Sequence, residues 1–299
     1  MAKRLTIMGA GKIGSAFAEA LTKHGGFQVT VWNRTKAKAD KLVEQGHAAA
    51  AASTAEEAIR ANEAVFFCLS GGPKALAPLL SPENKQAALF SNRHVALLGL
   101  YYPKELTPVL DYFEACGARV AKVIGEGMPD VVRAKKGTAI LAGKGAHDYW
   151  GPILGSIGHA KNFGEDIMQA ITYESNFFFT NVATMLAYMR LVASLVARKI
   201  DLTLMIEMLH EPGFAPPFVA YWLQPVLQRD YSKVTVATVD DALVEYFRDM
   251  DFFERQGLAG IAREMQQLCR RASDMGHGKS DLLAVYEVIL EDAKKLAQQ

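Results

Sequence analysis

The sequence predicts an α/β domain, with a doubly wound and mostly parallel sheet, joined by one long helix to an all-helical second domain. Apolar, strand-like runs alternate with helix-like segments from residue 4 to about residue 160, which is typical of a parallel sheet covered by helices. Residues 165–211 then contain no glycine or proline, and only helical patterns follow. We therefore expect a sheet domain over residues 1–163, and the long helix and helical domain over residues 164–299.

The sheet is predicted from six strand-like runs, which are residues 5–8, 28–32, 64–69, 94–98, 120–123 and 138–142. Helix-like segments lie between them, among them residues 36–45, 54–60, 104–116 and 147–155. Parallel sheets of this kind bind ligands outside the carboxyl ends of their strands. We therefore expect residues 68–73, including Leu69 and Ser70, and residues 98–103 to lie beside a ligand.

The first strand ends at a Gly-x-Gly-x-x-Gly turn, and a helical pattern begins at once. Gly9 allows the tight turn, Gly11 lets a pyrophosphate approach the backbone, and Gly14 lets helix and strand pack closely. The start of the helix presents free N–H groups to the phosphates. Because strand, turn and helix occur together, the motif predicts a dinucleotide site, that is, a Rossmann domain. Its predicted cofactor-binding residues are Gly9, Ala10, Gly11, Lys12, Ile13 and Gly14.

The end of the second strand indicates which dinucleotide binds. NAD sites usually carry Asp or Glu here to hold the ribose 2′-hydroxyl. This chain has Asn33, Arg34 and Thr35, followed by Lys36 and Lys38. Such donors bind a 2′-phosphate, which a carboxylate would repel. We predict NADPH, with the 2′-phosphate held by Asn33, Arg34, Thr35 and Lys38; a solvated basic start of a helix is the alternative.

Composition narrows the class of protein. Half of the 299 residues are apolar and the net charge is +1, so bulk charge suggests neither a nucleic-acid partner nor a membrane surface. The N-terminus has no secretory pattern, and the three cysteines are widely spaced without metal-ligand spacing. We expect a cytoplasmic protein without a bound metal, in which Cys68 is a packed residue and not a nucleophile.

The second half is predicted to be helical throughout. A helix of some 30 residues would span about 45 Å, which suits a connection between domains. Polar residues such as Glu174 and Asn176 interrupt its apolar run, so a membrane span is not expected. Further helical patterns cover residues 218–228, 238–256, 259–275 and 279–299. A helical domain with so little core of its own is expected to pack against a second subunit.

Six segments along the chain carry a family resemblance. They are residues 9–14, 31–35 with Lys38, 42–46, 164–166, 230–231, and 276–278 followed by 281–282. Together they resemble the imine reductases and reductive aminases, a branch of the β-hydroxyacid dehydrogenase group. The resemblance implies an NADPH-binding Rossmann domain and a helical C-terminal domain like that of 6-phosphogluconate dehydrogenase. It also implies a homodimer that exchanges its helical domains, with an active site at each interface.

The substrate half departs from the family pattern. β-Hydroxyacid dehydrogenases place a catalytic lysine early in the long helix, whereas residues 162–198 contain none. Glu174 falls where imine reductases would place the Asp of a Tyr/His-Asp pair, and Tyr173 precedes it. About two turns later in the same helix, Val182 stands where the family has an aromatic residue. Asp240 and Asp241 stand where the family has a Met-Gln pair.

These departures predict the reaction. A carboxylate stabilises a protonated C=N group, which an ammonium would repel, so gaining Glu174 and losing lysine favours reduction of a small imine. Tyr173 is the alternative catalytic group. The two side chains are about 100° apart on a helix, so we expect only one to face the nicotinamide. A solvated Glu174 and an interface-packing Tyr173 are the alternatives.

Four further residues are candidates for substrate contact: Asp240, Asp241, Trp222 and Tyr101. Either aspartate would anchor a cationic amine, or both are ordinary charges in the first turn of a helix after Thr238. The two aromatic residues line a pocket or belong to the core. The expected partner is a small imine, or an amine with a carbonyl compound. Two other functions stay open: a β-hydroxyacid dehydrogenase with an unusual acid–base group, and a non-catalytic NADPH-binding regulatory protein.

Overall fold

The structure, a computed structural model, describes residues 3–69, 71–125, 129–235 and 237–298. The chain forms two compact units, Met1–Glu174 and Ser175–Gln299. The division falls within the long helix, later in the chain than the predicted boundary. The functions assigned to the two predicted domains stay predictions.

The first unit is built on an eight-stranded sheet with the order β3-β2-β1-β4-β5-β6-β7-β8. The strands are β1 (Arg4–Met8), β2 (Gln28–Trp32), β3 (Ala50–Ala51), β4 (Ala64–Phe67), β5 (His94–Leu98), β6 (Arg119–Gly125), β7 (Gly137–Ala142) and β8 (Gly158–Gly164). Neighbouring strands are parallel except β6 and β7. The predicted α/β class with a mostly parallel sheet is confirmed.

Helices cover both faces of the sheet. In chain order they are α1 (Lys12–Lys23), α2 (Lys36–Glu44), α3 (Ala55–Ala61), α4 (Pro73–Leu76), α5 (Pro82–Gln86), α6 (Pro103–Ala115), α7 (Pro129–Arg133) and α8 (Ala146–Gly155). Successive strand residues point to opposite faces, so Phe66 joins one buried cluster and Phe67 the other. The strand order reverses between β1 and β4, and this places the turn after β1 at the crevice where such sheets bind ligands.

Strand β8 is the largest element that the sequence does not predict. It lies at the edge of the sheet beside β7; three of its seven residues are polar and none is buried. An edge strand with both sides partly in water needs no apolar run, so hydrophobic periodicity gives no sign of it.

The predicted long helix is confirmed as α9 (Ile167–Ala197), which has 31 residues. Asp166 caps it by accepting hydrogen bonds from the amides of Met168 (2.9 Å) and Gln169 (3.0 Å). The helix is long and apolar enough to cross a membrane by length and composition alone, and 39% of its most apolar window is buried inside the protein. Buried core helices pass the same test, and the expectation that the chain has no membrane partner stays a prediction.

The second unit is helical in the part of it that the structure describes. After α9 it contains α10 (Thr203–Met208), α11 (Pro217–Gln228), α12 (Val239–Glu245), α13 (Met250–Arg255), α14 (Ala259–Ala272) and α15 (Val285–Ala297). The predicted helix over residues 238–256 is two helices. Asp249 interrupts it, because its side chain accepts a hydrogen bond from the amide of Phe252 and so caps a new helix. The predicted last helix also begins later, at Val285.

Candidate functional site

The glycine turn after β1 is shaped by two close approaches and one open space. A Cβ on Gly9 (φ +113°) would lie 2.4 Å from the Cys68 carbonyl oxygen, and a Cβ on Gly14 would lie 1.9 Å from the Gly9 oxygen. No atom lies within 4 Å of a Cβ placed on Gly11. The first turn of α1 has no side-chain cap. These features fit a phosphate group against the start of α1.

Asn33 ties this turn to the end of β2. Its Oδ1 accepts a hydrogen bond from the Ala10 amide at 3.0 Å, and its Nδ2 donates to the Thr35 carbonyl at 3.0 Å. The Ala10 amide is therefore already bonded within the protein. Asn33 thus fixes the shape of the predicted cofactor site, and its binding of a 2′-phosphate stays a prediction.

The predicted 2′-phosphate residues lie at the start of α2. Arg34, Thr35 and Lys38 are exposed, whereas Lys36 pairs with Asp40 at 2.6 Å. Lys38 lines a cleft of about 360 Å³ together with Ala10 and Ser15 of the glycine turn and α1.

Two further cations line the same cleft, Lys41 and Arg133, and sequence reasoning missed both. Lys41 lies one turn after Lys38 on the same helix face, so helical spacing would have indicated it. Arg133 comes from α7, where it pairs with Glu19 at 2.9 Å. No local pattern connects Arg133 with the turn.

The loops after β4 and β5 reach the same edge of the sheet. Leu69 is half-buried and lies next to Gly9, while Ser70 lies outside the described residues. Burial raises the pKa of the Cys68 thiol, which fits a packed residue as expected. Tyr101 is fully buried, and no described residue hydrogen-bonds to its hydroxyl group.

Glu174, the predicted catalytic carboxylate, is enclosed in the first unit and paired with Lys122 of β6. The Lys122 ammonium donates to Glu174 Oε1 at 3.0 Å and lies 2.8 Å from Oε2. The lysine side chain is 0% exposed and that of Glu174 is 14% exposed. Oε2 lies at ion-pair distance from Lys122, but among the described residues it accepts no hydrogen bond of good geometry. Glu174 is therefore not a solvated helix position.

Burial dominates the titration of both groups. It raises the pKa of Glu174, against the opposing charge and hydrogen bond of Lys122. Burial likewise lowers the pKa of Lys122, against the attraction of Glu174. In each case the partner's charge opposes the effect of burial.

The expectation that the site holds a carboxylate and no ammonium is wrong. The long helix has no lysine, but Lys122 comes from β6 and occupies the side of Glu174 that faces the sheet. The sequence did contain a sign of this lysine, because Lys122 is a single lysine within an apolar strand run. Such a strand is buried on both faces, so a lysine in it needs a buried partner. Its partner 52 residues away cannot be inferred from local pattern.

Tyr173 points away from this pair. It is 40% exposed, and its ring lies 5.6 Å from that of Phe163. The two adjacent side chains thus have different surroundings, as the helical angle predicts. Which of them acts in catalysis stays a prediction.

The second unit contains the other predicted substrate residues. Asp240 and Asp241 lie in the first turn of α12, which Thr238 caps by accepting from the Asp241 amide at 3.1 Å. Asp240 also accepts from Ser273 Oγ at 2.7 Å and lies 3.5 Å from Lys279 Nζ. This position agrees with the alternative in which both aspartates are ordinary charges in the first turn of a helix. Binding of an amine by either residue stays a prediction.

Trp222 of α11 packs against Phe218 and lines an apolar cavity of about 40 Å³ with Val182 and Met185. His277 lies in the segment after α14, with Nδ1 3.4 Å from Ser280 Oγ. A substrate role for Trp222 stays a prediction.

The family-like motifs of the second unit have structural roles. Buried Asp281 accepts from both the amide and the hydroxyl group of Thr235 and from the Leu283 amide. Glu287, 8% exposed, accepts two hydrogen bonds from Arg229 and one from the Tyr231 hydroxyl at 2.8 Å. Burial opposes ionisation of Glu287, but these hydrogen bonds outweigh it and lower its pKa. The motifs at residues 230–231 and 281–282 therefore hold the helical unit together.

Comparison with known proteins agrees with this geometry. Residues 4–164 match the family described as the NAD binding domain of 6-phosphogluconate dehydrogenase. The chain belongs to this family. The glycine turn and the crevice beside it are therefore parts of an NAD(P)-binding domain, as predicted.

One segment has a closer relative. It covers 69 residues, 23% of this chain, and is 46% identical to the NADPH-dependent reductive aminase of Aspergillus oryzae. The match spans only 22% of that relative's length.

Solved structures match over nearly the whole chain. A 3-hydroxyisobutyrate dehydrogenase from Salmonella typhimurium has a TM-score of 0.78 at 17% identity, covering 96% of this chain and 99% of that one. A reductive aminase from Aspergillus terreus, in complex with NADPH4, cyclohexanone and allyl amine, has a TM-score of 0.60 at 24% identity with the same coverage. At such identities the likeness shows the fold. The segment match and this shared fold together confirm the resemblance to imine reductases and reductive aminases. Those enzymes are NAD(P)-dependent oxidoreductases, which is the predicted class.

Proposed function

We propose that the chain is an NADPH-dependent reductase that converts the C=N bond of a small imine into an amine. The observation that carries the proposal is the enclosed Glu174 carboxylate, whose Oε2 atom lies 2.8 Å from the Lys122 ammonium but accepts no hydrogen bond of good geometry from a described residue. A buried acceptor without a well-formed hydrogen bond is costly, so such an atom favours binding of a ligand's N–H group. A protonated imine offers that group together with a complementary charge.

NADPH is the proposed cofactor. Arg34 and Lys38 are exposed and carry the charge for a 2′-phosphate, and the open space at Gly11 fits the pyrophosphate. The segment match with an NADPH-dependent enzyme supports the same choice. When bound, NADPH supplies the hydride that reduces the substrate. Tyr173 remains the alternative proton donor.

The proposed substrates are a cyclic imine, or a small carbonyl compound with an amine. The ligands of the reductive aminase from Aspergillus terreus support this class. We further propose a cytoplasmic homodimer that exchanges its helical domains and completes the site at each interface. Apolar side chains exposed on the second unit, such as Leu204, Phe214 and Tyr221, support a partner surface there.

Lys122 favours one other candidate, oxidation of a β-hydroxy acid with NADP⁺. An ammonium beside the reacting oxygen stabilises an alkoxide and the carbonyl that forms from it. The carboxylate of Glu174 neutralises this ammonium in the structure, so imine reduction stays the leading proposal.

A paired assay decides between the two. NADPH oxidation is followed with a cyclic imine and with cyclohexanone plus allyl amine, and NADP⁺ reduction is followed with small β-hydroxy acids. The proposal expects turnover of the imine and none of the hydroxy acids. The reverse result selects the dehydrogenase. Tight NADPH binding without turnover of any compound would favour the third function, a non-catalytic NADPH-binding regulatory protein.

A further inference from the structure

Lys122 has surroundings that are unusual for a lysine. It lies in β6 and its side chain is 0% exposed. Its ammonium donates to the Val123 carbonyl at 2.9 Å and to Glu174 Oε1 at 3.0 Å, and lies 2.8 Å from Glu174 Oε2. Tyr101, in the loop after β5, faces the pair, and Cys68 of the loop after β4 interacts with Tyr101 in turn. The ammonium lies 5.8 Å from the centre of the Tyr101 ring. Burial raises the pKa of both Tyr101 and Cys68, so both are neutral near pH 7.

The charges at this place limit how a cation can bind. The ion pair is neutral overall, and Oε2 is the atom it leaves for a ligand. An iminium on Oε2 would put two positive charges on one buried carboxylate. Uncompensated buried charge is costly, and such a group loses or moves its proton instead.

We propose that Lys122 holds the proton that converts the bound neutral imine into an iminium, and that it passes this proton through Glu174. This inference rests on the proposed function and adds the source of the proton. Lys122 touches Glu174 and not the substrate, so it acts as a positioning residue.

The step is balanced in atoms and charge. A Lys122 N–H bond breaks as Glu174 gains the proton on one oxygen. The new O–H bond then breaks as Glu174 gives this same proton, from the oxygen that received it, to the imine nitrogen, and Glu174 is a carboxylate again. Neutral amine on Lys122, carboxylate and iminium have the same total charge as ammonium, carboxylate and neutral imine. After reduction the neutral amine leaves, and Lys122 regains a proton from solvent through Glu174, whose side chain is 14% exposed.

The inference requires a group that can give up its proton. Burial in β6 lowers the pKa of Lys122, which makes this release easier. A guanidinium would keep both the charge and the hydrogen bonds but not release a proton, because its pKa stays above about 12. Lys122→Arg therefore separates holding Glu174 in place from supplying the proton.

The first experiment compares two substrates. Dihydroisoquinoline is a neutral cyclic imine, and its N-methyl iminium salt carries a permanent charge and needs no proton. In Lys122→Arg, kcat for the neutral imine should fall by at least about tenfold, as for loss of a general acid, while kcat for the salt stays near the wild-type value. The cost of a second buried cation should appear only as a higher KM for the salt. Lys161→Arg, at an exposed position of β8, is the matched control and should change neither.

The second experiment does not depend on turnover. The N-methyl iminium salt is titrated into the enzyme–NADP⁺ complex by calorimetry in two buffers of different protonation enthalpy. Wild type should release about one proton per site, because the arriving cation displaces the Lys122 proton. Lys122→Arg should release none.

Each outcome decides something. An equal fall in kcat with both substrates makes Lys122 merely structural, and an unchanged kcat with the neutral imine removes it from proton transfer; either overturns the inference. Binding of the salt to wild type without proton release overturns it as well. If wild type reduces neither substrate, the proposed function fails, while proton release on binding still shows whether Lys122 yields its proton to a cation.

Discussion

Two buried glutamates, one in each unit, show how differently the two regions use the same side chain. Glu287 of the helical unit has Arg229 and Tyr231 as donors, and its pKa is lowered. Among the described residues, Glu174 of the sheet unit has Lys122 as its one donor, and its Oε2 accepts no hydrogen bond of good geometry; its pKa is raised. A carboxylate with all its acceptors satisfied stabilises a fold, whereas one held with an open acceptor is available for a ligand.

The largest expected effect separates the two glutamates by activity. Glu174→Gln removes the charge that faces the imine, so turnover of a cyclic imine should fall by about 10²–10⁴-fold, the usual range for loss of acid–base catalysis. NADPH affinity should not change. Glu287→Gln is the matched control and should keep wild-type turnover. Equal losses in the two variants would remove the distinction between them.

The next largest effect is on stability in the sheet unit. Lys122→Met leaves the Glu174 carboxylate buried without a partner, which should lower the free energy of unfolding by about 3–5 kcal/mol. The double variant with Glu174→Gln should recover most of this loss, because the uncompensated charge is gone. Urea unfolding of both variants measures the difference. Additive losses would mean that the two side chains do not interact.

A smaller effect is expected for the helical unit. Glu287→Gln weakens charge-assisted hydrogen bonds and should lower the free energy of unfolding by about 1.5–3 kcal/mol near pH 7. Because the folded pKa of Glu287 is lowered, its contribution is present above the unfolded value of about 4.3 and is lost as pH falls through the folded pKa. The gap between wild type and variant should therefore close in acid. A gap that is constant with pH would show that charge is not its cause.

The smallest effect concerns the cofactor. Arg34→Ala removes an exposed guanidinium without an ion pair among the described residues, and should weaken NADPH binding by about tenfold with little effect on NADH. Lys36→Ala is the control, because Lys36 already pairs with Asp40. Fluorescence titration with both nucleotides measures this. Equal weakening of NADPH and NADH would refute the 2′-phosphate assignment.

Local signals predicted much of the fold. Strands β2 and β5 have their predicted bounds because each is a short apolar run between helix signals, and α9 follows from the lack of glycine and proline. The exposed strand β8 has no such run. The break at Asp249 is a capping interaction that a continuous helical pattern conceals.

The candidate site was less predictable, for a different reason. The glycine turn is a local feature that followed from turn chemistry, and Glu174 followed from its place in the family resemblance. Lys122 reaches Glu174 across 52 residues, and Arg133 reaches Glu19 across 114. Ion pairs between residues so far apart in the sequence depend on the order of the strands in the sheet. The hydrophobic periodicity of the sequence contains no information on that order.

The central claim is that this chain reduces a C=N bond at Glu174. The most direct measurement is transfer of deuterium from NADPH labelled at the reactive carbon of its nicotinamide to a cyclic imine, followed by mass spectrometry of the amine. The account predicts one deuterium in the amine formed by wild type and Glu287→Gln, and almost none with Glu174→Gln at equal enzyme and time. Unlabelled amine, no amine at all, or equal labelling by Glu174→Gln would contradict it.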